Sequence, residues 1–237
     1  MHNEKPLRLI SNSLTRLILM LILVSIIFAI FYGYTLKQKE KGTAKHAITV
    51  LCAGDSITAA EYPAYLQEML RKIDKNIFVL NRGIKGNTSG EYLRYMKKTR
   101  LVETTEPDYV LLQLGTNDVR IDTDHTQTPE FYKNMDYIIG MFKTHTNRNG
   151  SQPLVLIATI PPVVEEKPFY FDKESVRRVV NEINPAIVKL AQENQCPVVD
   201  NFKLFTGNPS FLPENHPNDA GYKALAENWF KALQPYL

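Results

Sequence analysis

The sequence predicts an α/β fold: one domain built on a five-stranded parallel sheet, preceded by a single transmembrane helix. Three observations carry this expectation. Short apolar, β-branched runs recur at residues 47–53, 77–81, 108–114, 153–160 and 197–200 of the 237-residue chain. Segments with apolar residues at helical spacing separate them. One stretch near the N-terminus, Leu17 to Tyr34, carries no charge. Continuous apolar strands between amphipathic helices belong to parallel sheets covered on both faces, with right-handed crossovers.

The N-terminal stretch "LILMLILVSIIFAIFYGY" has 18 residues. At 1.5 Å per residue it reaches roughly 27 Å, about the hydrocarbon thickness of a bilayer. Arg16 bounds it on one side and "KQKEK" on the other. A cleaved signal peptide is the rival reading, but "FAIFYGYT" offers no clear small-x-small site, so an uncleaved anchor is expected. The chain then divides into a short basic tail (1–16), a transmembrane anchor (17–34), a polar linker (35–45) and a domain (46–237). Three basic residues precede the span and four follow it, so charge does not set its orientation. The tail is short enough to stay inside, which puts the domain outside the cytoplasmic membrane.

Within the domain, "AITVLCA" reads as the first strand and residues 63–73 as the first helix. "IFVLN" is the second strand, followed by a helix over 89–101 with Tyr92, Tyr95 and Met96 on one face. "DYVLLQL" is the third strand. Residues 129–146 repeat apolar positions at Phe131, Met135, Ile138, Ile139 and Phe142, a helical pattern. "PLVLIATI" is the fourth strand. Residues 173–195 read as a long helix, kinked or restarted near Pro185. "PVVD" is a short fifth strand, and 218–236 a closing helix.

Charge excludes one class of function. The net charge is +3. Residues 1–45 hold seven Lys/Arg and two acids, leaving 21 basic and 23 acidic residues in the rest. A body with that balance is not a nucleic-acid-binding domain. Cys52 and Cys196 flank predicted strands and read as small buried hydrophobes rather than a disulfide framework. His2, His46, His125 and His145 lack metal-ligand spacing, and no phosphate loop is present, so no metal or cofactor is expected. Oligomeric state is not legible.

In parallel sheets the site lies beyond the carboxyl ends of the strands. After the first strand comes Gly54-Asp55-Ser56; after the second, Asn81-Arg82-Gly83-Ile84-Lys85-Gly86-Asn87-Thr88-Ser89; after the third, Gly115-Thr116-Asn117-Asp118. After the fourth comes "PPVVEEKPFYF", whose aromatics line an acyl or sugar pocket or merely anchor the loop. Beyond the fifth comes Glu214-Asn215-His216-Pro217-Asn218. Ser56 is either a nucleophile at a strand-to-helix turn or the N-cap of the helix. A serine needs a base near neutral pH, which imidazole supplies. The oxyanion that follows needs N–H donors, which backbone amides and an asparagine provide.

"GDSIT", "NRGIKGNTS", "GTND" and "HPNDAGY" together resemble the blocks of the GDSL/SGNH hydrolase superfamily, in order across roughly residues 47–230. The resemblance implies a flavodoxin-like three-layer α/β/α sandwich. It implies Ser56 as nucleophile, His216 as base, and an oxyanion hole of Ser56 N–H, Gly83 N–H and the Asn117 side chain, with no metal. It further implies a small-molecule, lipid or glycan ester substrate. One position departs from the pattern: the aspartate usually found three residues before the histidine is Pro213. Either Glu214 orients His216, or a backbone carbonyl does, or the triad is incomplete. The expected function is a membrane-anchored serine esterase working through an acyl-enzyme. An acyltransferase of the same chemistry and a catalytically weak binding module are the alternatives.

Overall fold

The computed structural model describes residues 16–33, 47–122, 125–166 and 170–237. The tail before Arg16, Tyr34, the linker 35–45, His46 and positions 168–169 of "PFYF" lie outside them. The chain divides into two compact units, Met1–His46 and Ala47–Leu237. In the first, α1 (Arg16–Gly33) is long and apolar enough to cross a membrane, a property that an anchor and a signal sequence share.

In the second unit, β1 (Ile48–Gly54), β2 (Ile77–Gly83), β3 (Tyr109–Gln113), β4 (Leu154–Ala158) and β5 (Val198–Val199) form one sheet. Its order is β2-β1-β3-β4-β5, and every pairing is parallel. From β1 the chain moves outward to β2, then crosses back to β3 on the other side. The switch point therefore sits at the carboxyl end of β1, where a crevice opens.

The helices are α2 (Ser56–Ala59), α3 (Tyr62–Ile73), α4 (Ser89–Thr99), α5 (Leu101–Thr105) and α6 (Thr128–Lys143), then α7 (Lys173–Arg178), α8 (Asn184–Glu193), α9 (Asn201–Gly207) and α10 (Asp219–Leu233). Successive strand residues point to opposite faces, so β1 serves two cores. Val50 and Cys52 pack with α3, α9 and α10 around the fully buried Trp229. Leu51 and Ala53 pack with α4, α5, α6 and α8 around Phe131 and Phe142. Fully burying each such large side chain contributes on the order of 1.5–3 kcal/mol. Asn201 at the start of α9 is buried and satisfied by polar partners, donating to Gln113 Oε1 at 2.6 Å and accepting from Asn228 Nδ2 at 2.7 Å.

One helix differs from the sequence reading. The helix expected over 89–101 ends at Thr99, because Arg100 turns left-handed (φ 51°) and a separate α5 begins at Leu101. The long helix over 173–195 restarts next to Pro185 as expected, at Asn184, and a π-helical turn at Val179–Ile183 precedes the restart. Pro185 falls in the first turn of α8, where its missing N–H costs no helical bond. Its neighbour Asn184 reaches back to the segment after β4. There its Oδ1 accepts the Ile160 N–H (2.8 Å) and its Nδ2 donates to the Ile160 carbonyl (3.1 Å).

Candidate active site

The first turn beyond the sheet is capped by the neighbour of Ser56 and not by Ser56 itself. The helix cap is Asp55, whose Oδ1 accepts the Ile57 N–H at 3.0 Å. Ser56 is the first residue of α2, and its hydroxyl is free to face the crevice. Its Oγ lies 2.8 Å from Nε2 of His216. Residues 160 positions apart in sequence are thus within hydrogen-bond distance. Gly54 makes the sharp exit from β1 possible, since a Cβ there would lie 2.2 Å from Thr58 Oγ1 and 2.5 Å from the Gln113 carbonyl oxygen.

Asn117 stands in the 3₁₀ turn after β3, in the wall of the same cleft, and is buried. Its Nδ2 donates to the Asn87 carbonyl at 2.9 Å, which leaves its second N–H for the cleft. The next residue fixes this turn from below. Fully buried Asp118 accepts from the Ser89 N–H (3.0 Å) and hydroxyl (2.7 Å), and Arg178 donates to its backbone carbonyl at 2.8 Å.

Gly83 is not among the residues that line the cleft. Strand β2 runs through to Gly83, and its N–H donates to Asn81 Oδ1 at 3.0 Å. Its missing side chain serves packing: a Cβ would lie 2.2 Å from the Ala59 nitrogen and 2.5 Å from the Thr58 carbonyl carbon. Gly83 therefore lets α2 close down on β2. The glycine in the cleft wall is Gly86, three residues on, in a left-handed turn at φ 78°. "GIKG" holds both glycines; only where the strand ends distinguishes a packing glycine from one presented to the cleft.

His216 is carried on the loop between the 3₁₀ turn Pro209–Phe211 and α10 and is exposed. Among the described residues, Ser56 is its one hydrogen-bond partner, so Nδ1 meets neither a carboxylate nor a backbone carbonyl. Pro213 and Glu214 both line the cleft, and Glu214 makes no hydrogen bond or ion pair among the described residues. Asn215, the residue before His216, carries no signal of its own in the sequence. Asn215 is buried, accepts the Val164 N–H at 2.7 Å, and donates to the Val164 carbonyl and to Glu166 Oε2, both at 3.1 Å.

The cleft has a volume of about 930 Å³ and a mixed wall. Lys85 and Arg120 supply positive charge, and Glu61, Glu165, Glu166 and Glu214 negative charge. The Arg120 guanidinium lies 4.2 Å above the Tyr170 ring and pairs with Asp122. Burial pushes the Tyr222 hydroxyl up to about 12, so this wall residue stays a neutral phenol. Beneath the site, burial pushes the Asp55 carboxyl up to about 6, against the Ile57 N–H that favours its charged form. Burial also raises Asp118, opposed by its bonds from Ser89. Among the described residues, no group of three or more His, Cys, Asp or Glu is placed to hold a metal ion.

Solved structures similar to this chain share its architecture. An acetyl xylan esterase, AlAXEase, superimposes with a TM-score of 0.63 at 25% identity, covering 78% of this chain and 100% of the other. A lipase/acylhydrolase from Enterococcus faecalis gives 0.65 at 21% identity, covering 80% and 97%. An acetylxylan esterase from Geobacillus stearothermophilus gives 0.61 at 20% identity, covering 79% and 94%. Among curated proteins none matches the sequence. The model of the GDSL-like lipase/acylhydrolase family matches residues 52–224, a span that starts within β1 and takes in Ser56, Asn117 and His216. With that match over most of its length, and with these side chains meeting at the carboxyl edge of a parallel sheet, the chain belongs to the GDSL-like lipase/acylhydrolase family.

Proposed function

We propose that this chain is a serine hydrolase of carboxylic esters, with Ser56 as nucleophile and His216 as general base. The observation that carries the proposal is the 2.8 Å contact between Ser56 Oγ and His216 Nε2. Ser56 Oγ attacks the ester carbonyl carbon while Nε2 takes its proton. The carbonyl oxygen becomes an oxyanion, held by the N–H groups of Ser56 and Gly86 and by Asn117 Nδ2. As the tetrahedral intermediate collapses, Nε2 returns the proton to the leaving alkoxide. Water then repeats the sequence on the acyl-Ser56. Gly86 takes the role that the sequence reading gave to Gly83, whose N–H is already spent on Asn81. Without a carboxylate at position 213, His216 works as a Ser–His dyad, and its Nδ1–H is solvated by water.

The substrate we infer is a short acyl group on a hydroxyl-rich alcohol. The charged groups in the cleft wall support this, because sugar hydroxyls hydrogen-bond to carboxylates and ammonium groups. Two of the similar structures are named as acetyl xylan esterases. We further propose that α1 anchors the enzyme and that the domain acts outside the cytoplasmic membrane. The full chain is then expected in the membrane fraction with its N-terminus intact; a shortened, soluble product would make α1 a signal sequence.

Ser56→Ala tests the chemistry. The variant is expected to lose hydrolysis of p-nitrophenyl acetate and labelling by a fluorophosphonate, while keeping its fold by circular dichroism. Residual activity within about tenfold of wild type would overturn the assignment, because removing a nucleophile costs orders of magnitude more. Comparing p-nitrophenyl acetate with the octanoate, beside acetylated xylan, tests the substrate. A kcat/KM that rises with chain length would reject the short-acyl reading.

A further inference from the structure

The loop that carries the base is weakly tied to the rest of the domain. Leu212 is buried at its start, and Asn218 caps α10 at its end by accepting the Gly221 N–H at 2.9 Å. Between them, residues 213–217 make no backbone–backbone hydrogen bond among the described residues. Pro213 and Pro217 lack an N–H, and Glu214 makes no contact of this kind. Apart from the Ser56–His216 bond itself, the polar tether of this stretch is the Asn215 carboxamide.

That carboxamide docks on a surface that is itself fixed. It pairs with both backbone groups of Val164, as one strand residue pairs with another, and adds a bond to Glu166. Four residues earlier, Asn184 of α8 makes the same two-bond clasp on Ile160. Val163, between them, is buried in the core. Glu166 is held in turn by its N–H bond to the carbonyl of buried Phe171 at 3.0 Å. A continuous path of packed and bonded groups thus runs from the core, through residues 160–166, to the residue adjoining His216.

We propose that Asn215 is the positioning residue of the catalytic base, taking over the orienting part of the role that Pro213 cannot fill. A triad acid does two things: it fixes the imidazole and it stabilises the imidazolium. Asn215 does only the first. It acts on the backbone next to His216 rather than on Nδ1, and it contributes no charge. Loss of the clasp lets the loop drift and lengthens the Ser56–His216 contact, while the cleft that binds substrate keeps its other walls. A misplacement of about 1 Å at a reacting group costs on the order of 10²-fold in rate.

This inference rests on the proposed Ser56–His216 chemistry, and the test separates the two. Asn215→Ala, Asn215→Asp and Ser56→Ala are compared in the full chain with p-nitrophenyl acetate, with active sites counted by fluorophosphonate titration. Asn215→Ala is expected to lower kcat per titrated site on the order of 10²-fold, with KM within about threefold of wild type. The rate of fluorophosphonate labelling should fall in parallel. Asn215→Asp keeps the acceptor for the Val164 N–H but loses the donors and faces Glu166, so it should be intermediate. Adding Glu166→Gln to Asn215→Asp places a donor opposite the new carboxylate and should recover part of the loss. A merely structural role would lower Tm and the number of titratable sites but leave kcat per site unchanged. That result, or an Asn215→Asp variant no better with Glu166→Gln than without, overturns the inference. If Ser56→Ala itself retains activity, the proposed chemistry fails instead.

Discussion

The two halves of the site are held in different ways. The half formed by the ends of β1, β2 and β3 is part of the core. Gly54 and Gly83 admit backbone at 2.2–2.5 Å from where a Cβ would be, and Asp55, Asn117 and Asp118 are buried and hydrogen-bonded. The other half is a loop with two prolines, an exposed histidine and a side-chain tether. Under the proposed mechanism the oxyanion donors, which must not reorganise during reaction, stand on the rigid half. The proposed base exchanges its proton within each turnover, and a position open to water suits that task.

The comparison breaks most severely at Gly83. Gly83→Ala pushes a methyl group into the backbone of residues 58–59 and forces α2, with Ser56, away from β2. A loss of about 3 kcal/mol or more is expected, which lowers Tm by roughly 10 °C. Differential scanning calorimetry measures it, and a Tm within about 2 °C of wild type would mean that this half is looser than described. Asn117→Ala comes next. It should lower kcat by roughly 10²–10³ with little change in KM, the signature of a donor used in the transition state. A change confined to KM would make Asn117 a substrate-binding group.

Asp55 sharpens the picture of a buried half. Its folded pKa of about 6 stands above the unfolded value of roughly 3.9. The folded state therefore holds this proton to higher pH than the unfolded state does. Asp55 weakens the fold as pH rises from about 4 through 6, by on the order of 3 kcal/mol. Asp55→Asn keeps the acceptor for the Ile57 N–H and cannot ionise. Urea unfolding between pH 4 and 7.5 should show a flatter stability profile for the variant than for wild type; parallel profiles would contradict the buried carboxyl. The smallest effect is expected on the loop. Glu214→Ala should change kcat/KM by less than about fivefold, because no bond joins Glu214 to His216. A fall beyond about 10³ at pH 5–9 would restore Glu214 as the triad acid.

The sequence was informative where physics is local. Alternating apolar runs marked all five strands, because a strand covered on both faces must be apolar throughout. Ser56, Asn117 and His216 can be grouped from the sequence because each follows a strand, and the parallel sheet brings them to one edge. Gly83 and Gly86 look alike in the sequence because a strand's last residue is set by pairing, here Gly54 with Gly83, and not by composition. The left-handed turn at Arg100 and the π-turn at Val179–Ile183 carry no Gly or Pro to announce them. Asn215 was invisible for another reason. Its partners, Val164 and Glu166, are about 50 residues away, and the interaction uses the backbone of one of them.

The two cysteines have a practical consequence. Cys52 lies in β1 and Cys196 just before β5; both are free and buried, and burial pushes the Cys52 thiol up to about 12 and raises Cys196 as well. Alkylating reagents attack thiolates, so both native thiols are silent in the folded protein. A cysteine introduced at exposed Pro213 would then be the reactive one. A dye attached there would report the motion of the histidine loop against an unlabelled background, turnover by turnover, without removing any native residue from the core.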